Sequence, residues 1–147
     1  MNLQDPKPAS EFRSSNDDCR NTEPLLYSSD EVPEALRRAF DEARESYRWG
    51  RFVAAVALSR LIGETAVKEV SRLKSKDDPS FRARVDSVSS ELLPPTDKER
   101  AMRIWRSGSR AVHRAGELFG ENDVWQALDD AAAIVARLAN AGAFKGK

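Results

Sequence analysis

The segment FVAAVALSRLI, residues 52–62, restricts the fold more than any other part of the chain. Wound into a helix, it presents apolar side chains at nearly every angle and becomes amphipathic only beyond Ile62. A helix of that kind needs neighbours on several sides. Its uninterrupted apolar run, Phe52 to Leu58, is far too short to span a bilayer. The neighbours must therefore be other protein elements, and a helix from Phe52 to about Leu73 is expected in the middle of a bundle.

The flanking segments supply those neighbours. Val32, Leu36, Phe40, Ala43 and Tyr47 recur at spacings of four, four, three and four, one apolar stripe on a helix. Ser29 or Asp30 is its expected N-cap, Pro33 falls in its first turn, and Gly50 suits the left-handed position that closes it. After a loop at 74–80, a short helix is predicted from Phe81 to Leu92, closed off by Pro94 and Pro95. Thr96 with Glu99 three residues on reads as a capping box for a helix reaching Arg114 or Ala115. Asn122 is the expected cap of the last helix, whose core stripe is Val124, Leu128, Ala131, Val135 and Leu138.

No segment alternates as a strand does, and short connections favour antiparallel neighbours. The expected fold is all-α, an antiparallel bundle of four main helices plus one short helix. It should occupy residues 29–142, with a flexible C-terminus at 143–147. Residues 1–28 hold three prolines, many polar groups and few large apolar ones, too little to offset the entropy of ordering. They read as a flexible or loosely docked tail, with Leu25, Leu26 and Tyr27 as docking candidates.

Lys plus Arg equals Asp plus Glu at 24 each, so no overall field draws the chain to nucleic acid or an anionic surface. Any such attraction must be local. Cys19 is the sole cysteine and His113 the sole histidine, which excludes an intramolecular disulfide and a Cys/His zinc site. No metal, no cofactor and no membrane association are expected, and a reducing, cytoplasmic setting fits.

The local attraction lies between Lys98 and Arg114, where six basic residues face one acid, Glu99. At about 100° per residue, Ala101, Ile104, Trp105, Gly108, Val112 and Ala115 share one side of a helix. Arg100, Arg103, Arg106, Arg110 and Arg114 share the other. Guanidinium forks match phosphate oxygens, and each neutralised phosphate releases counterions. A solvated face offset by acids on a neighbouring helix is the plainer alternative.

His113 follows Arg106 by seven positions and emerges at nearly the same angle, two turns on. Its imidazole titrates near neutrality, which suits proton transfer, although a lone histidine is more often an ordinary boundary residue. Arg60 and Glu64 interrupt the apolar surroundings of the second helix four residues apart. They either pair with each other or reach across, and Glu64 to Arg106 or His113 is the first cross-helix pairing expected. Gly63 between them fits close approach of another helix.

Three of these segments together resemble a bacterial branch of the HEPN superfamily, the higher eukaryote and prokaryote nucleotide-binding helical domains. They are Glu42-Ala43 on the helix that Pro33 begins, the R-x-x-x-E pair Arg60 and Glu64, and Gly108-Ser109-Arg110-Ala111-Val112-His113 in place of a G-N-x-A-x-H segment. Ser109 stands where that branch usually has Asn, and Trp105 where it usually has Arg. The resemblance covers residues 30 to 140 or so.

It implies a metal-independent endoribonuclease of a prokaryotic or phage-related defence or toxin system, acting as a homodimer. Arg106 and His113 would be catalytic, Arg103, Ser107, Ser109 and Arg110 would hold substrate, and Arg60 and Glu64 would support them. The other outcome is a helical adaptor without chemistry, binding RNA, a nucleotide or a protein partner through the same basic face.

Overall fold

The apolar stripe of the first helix is its buried face: α1 (Glu34–Arg48) buries Leu36, Phe40, Ala43 and Tyr47. The structure, a computed structural model, describes residues 32–114 and 118–145. Within them α1 is followed by α2 (Phe52–Val70), a 3-10 turn (Ser75–Asp77), α3 (Phe81–Ser87), α4 (Pro95–His113) and α5 (Glu121–Asn140). There is no strand among the described residues, and the chain forms the expected all-α bundle of four main helices and a short one. Gly50 closes α1 at φ +72°, the left-handed conformation that a side chain would oppose.

Helix α2 is the hub and packs against α1, α3, α4 and α5. Ala55, Val56, Ile62, Ala66 and Val67 are its fully buried apolar residues. Ser59 is buried with them, its Oγ donating to the Ala55 carbonyl at 2.9 Å, so that no hydroxyl is left unpaired. Val53 and Leu61 remain half exposed, so one strip of this nearly all-apolar helix faces out. Each large side chain it does bury contributes about 1.5–3 kcal/mol.

Several boundaries differ from expectation, each for a local reason. The caps expected at Ser29 and Asp30, and the tail 1–28 with Leu25, Leu26 and Tyr27, lie outside the described residues. Pro33 is the N-cap of α1 rather than a first-turn residue. Helix α2 ends at Val70, because Ser71 turns to extended backbone and its Oγ meets Ser87 Oγ at 3.0 Å. Helix α3 stops at Ser87, and a turn closed by Leu93 N–H to Ser89 O carries Leu93 into the core.

Pro95, not Thr96, opens α4, and it sits at the first helical position, where its missing N–H has no role. Gly120, not Asn122, caps α5, its N–H donating to Asp123 Oδ2 at 2.9 Å. Within the segment expected to be flexible from 143 on, Phe144 is buried in the core. No described helix is long and apolar enough to cross a membrane.

Candidate functional site

Helix α4 runs unbroken through Gly108, and that glycine sets how α2 and α4 meet. A Cβ added there would lie 2.3 Å from Arg60 Cβ and 2.5 Å from Arg60 Cδ, closer than atoms can stand. Only a residue without a side chain admits the Arg60 stem against the α4 backbone. The close approach sought at Gly63 is therefore made at Gly108, since a Cβ on Gly63 would meet Ile104 at an ordinary 3.6 Å.

With its stem held, the Arg60 guanidinium is oriented from three sides. Its Nε donates to Glu64 Oε1 at 2.9 Å and its Nη1 to Ser109 Oγ at 3.1 Å. Its Cζ lies 5.4 Å from the Trp105 ring centroid, and Trp105 stacks on Phe81 at 6.1 Å and 10°. Arg60 and Glu64 thus pair within α2. The expected reach of Glu64 to Arg106 or His113 does not occur, and Arg106 Nη2 donates instead to Glu99 Oε1 at 3.1 Å. The reason is angular: Arg106 and His113 leave α4 at its solvent pole, whereas Arg60 crosses the flank carrying Gly108 and Ser109.

The arginine stripe divides. On the side toward α5, Arg103 grips Asp130 with both ends of its fork, Nε to Oδ2 at 2.8 Å and Nη2 to Oδ1 at 2.7 Å. Arg100 Nη1 donates to Asp97 Oδ1 at 3.0 Å and its Nε lies 3.8 Å from Asp130 Oδ1. Arg137 of α5 donates to Asp97 Oδ2 at 2.9 Å. The two carboxylates are 2% and 1% exposed, so these are buried acids wrapped by cations. The hydrogen bonds to Asp130 raise the Arg103 pKa above the ordinary guanidinium value, outweighing the opposing effect of burial.

Arg103, expected among the substrate-holding residues, accordingly has its fork engaged by Asp130 of α5. Ser107 leaves α4 at an angle between those of Arg100 and Arg103 and does not line the open site.

The other predicted residues do converge. Arg106, Ser109, Arg110 and His113, joined by Trp105 and Arg114, line one open depression of about 360 Å³. Arg110 lies over the Phe119 ring, Cζ to centroid 5.7 Å, which steadies its guanidinium. His113 is the last residue of α4 and is exposed. Ser109 Oγ accepts from Arg60, which leaves its hydrogen to donate outward. Among the described residues the lining holds cations, a hydroxyl, an imidazole and an aromatic wall, and no carboxylate. That set suits an anion carrying flat groups, such as a phosphodiester with its bases.

Sequence reasoning placed Trp105 on the apolar side and missed that it is also a wall of the site. It likewise missed Phe119 and the pair Asp97 and Asp130. Asp130 could have been found, because it stands three residues after Ala127 and four before Ile134, both buried. A lone acid at that register on a core face asks for a cation from a neighbouring helix. Set against protein-family models, curated proteins and solved structures, the chain matches none.

Proposed function

We propose that the basic end of α4 binds single-stranded RNA through its phosphates and cleaves it without a metal ion, with His113 and Arg106 as the reacting pair. The convergence of Arg106, Ser109, Arg110, His113 and Arg114 on one open depression supports this. His113 takes the proton of a ribose 2′-hydroxyl, and the oxygen attacks the adjacent phosphorus. The 5′-oxygen leaves, and the products end in a 2′,3′-cyclic phosphate and a 5′-hydroxyl. Arg106 offsets the charge that builds on the non-bridging oxygens. The leaving oxygen takes its proton from water, or from a second imidazole where two chains pair about this face, as the HEPN resemblance implies.

The ion pair of Arg106 with Glu99 does not close the site. Both side chains are more than half exposed, 54% and 65%, and a surface pair of that kind holds by no more than about 1 kcal/mol. A phosphate displaces it readily. The same pair nonetheless favours a second reading, a module that binds RNA or an acidic protein and does no chemistry, because part of the Arg106 charge is already met.

Incubating purified protein with RNA in EDTA separates the two. Cleavage to cyclic-phosphate ends, lost in His113→Ala with helical content intact, is the expected result. Cutting that persists in that variant removes His113 from the mechanism. Binding that weakens with salt, with no cutting by the unaltered protein, selects the second reading.

A further inference from the structure

A second depression, of about 350 Å³, shares the Trp105 ring with the first. It is walled by Trp105 and Phe81, whose rings stack, and Glu64, Lys68, Asp78 and Arg84 surround it. Two features mark it as more than a surface dip. Arg84 Nη1 is shielded from water and has no hydrogen-bond partner among the described residues, an unfavourable state for a charged donor that an entering oxygen would relieve. Asp78, at the rim, has φ +43° immediately before Pro79, a left-handed conformation that non-glycine residues seldom adopt.

Resting on the RNA reading above, we propose that this second depression is a base subsite that selects guanine beside the phosphate held at Arg106, Arg110 and His113. Trp105 is common to both depressions, so a ribose spanning it places a phosphate in one and its base in the other. The paired rings give any base an apolar wall to pack on, and the polar groups discriminate. Glu64 is a fixed acceptor: Arg60 takes one lone pair of Oε1, which leaves Oε2 and the other lone pair of Oε1 for a ligand. Arg84 is the donor.

Guanine alone presents two adjacent donors, N1–H and N2–H, beside the acceptor O6. A carboxylate takes the first two and a guanidinium the third. Adenine offers an acceptor at N1 where the carboxylate needs a donor. Cytosine and uracil each offer a single donor site on that edge. Lys68, at the same rim, is placed to meet a flanking phosphate as a point charge.

The test begins on the unaltered protein, where no variant can misfold. Guanosine, inosine, adenosine and cytidine 5′-monophosphates are titrated by calorimetry. Guanosine monophosphate should bind about tenfold more tightly than the adenosine and cytidine compounds, with inosine monophosphate, which lacks N2, between them. In RNA, cutting or binding should centre on guanosine, and Arg84→Gln should erase that preference while leaving binding of guanosine-free RNA as it was. Equal affinity for the four nucleotides overturns the subsite.

Failure here is distinct from failure of the RNA reading. RNA that binds through Arg106 and Arg110 with no base preference sinks the subsite alone. A guanosine preference that survives when oligomers fail to bind sinks the RNA reading and leaves the subsite standing.

Discussion

Toward α5, the arginines of α4 meet acids that have almost no contact with water, and Arg103 closes on Asp130 with two hydrogen bonds under 2.9 Å. At the solvent pole one turn further on, Arg106 meets, among the described residues, only Glu99, itself mostly exposed. The residue type is the same and the positions are three apart, yet one guanidinium is fixed in the bundle and the other is open to a ligand. The difference lies in the partner. A buried carboxylate cannot go back to water, so it holds its cation, whereas an exposed one trades solvent for the pair at little gain. A basic stripe on a helix therefore does not measure how much of it can bind phosphate.

The comparison can be broken or sharpened by experiment. The largest effect should come from Gly108→Ala at the crossing both flanks share. The new methyl collides with the Arg60 stem at Cβ, an atom that cannot swing aside, and the expected loss is about 3 kcal/mol in urea unfolding, against the usual helical gain of Gly to Ala. A variant as stable as the parent would mean that α2 and α4 do not meet as described.

Next comes Arg103→Ala, which leaves Asp130 buried with Gln126 at 3.1 Å and the more distant Arg100. About 2 kcal/mol of stability should be lost, below the usual range for a broken buried pair because those two groups remain. RNA affinity, measured at fixed salt in the folded variant, should not change. An Arg103 variant that loses RNA binding and keeps its stability would invert the assignment of the two flanks.

Arg106→Ala should do the opposite. Stability should move by no more than about 0.5 kcal/mol, while RNA affinity falls and the slope of log affinity against log salt drops by about one. The smallest effect belongs to Phe119→Leu, which keeps most of the apolar bulk and removes the ring under Arg110. It should weaken RNA binding by a few-fold, equivalent to about 0.5–1 kcal/mol of lost cation–π contact.

The helices were legible because their signals are local. A stripe such as Val32, Leu36, Phe40, Ala43 and Tyr47 depends only on spacing, and all five are buried. Boundaries were less so. Whether α2 ends at Val70 or Leu73 depends on Ser71 finding Ser87, sixteen residues away, and Asp123 taking the Gly120 N–H moves the α5 cap from Asn122. At the site, Arg106 and His113 share a depression as their seven-residue spacing requires of an unbroken helix. Ser107 lies off the depression by its angle on α4, whereas Arg103 is drawn from it by Asp130, a partner that α4 itself does not reveal.

The order of apolar and polar residues was enough to determine that this chain makes helices, which faces they bury, and that α4 carries a local excess of cations. Those properties follow from periodicity, which each segment carries alone. Tertiary structure decided which arginine meets Asp130, where the α4 backbone admits Arg60, and that Trp105 walls two depressions at once. Such outcomes depend on distances between segments far apart in the chain, and a helix does not encode the position of its neighbour.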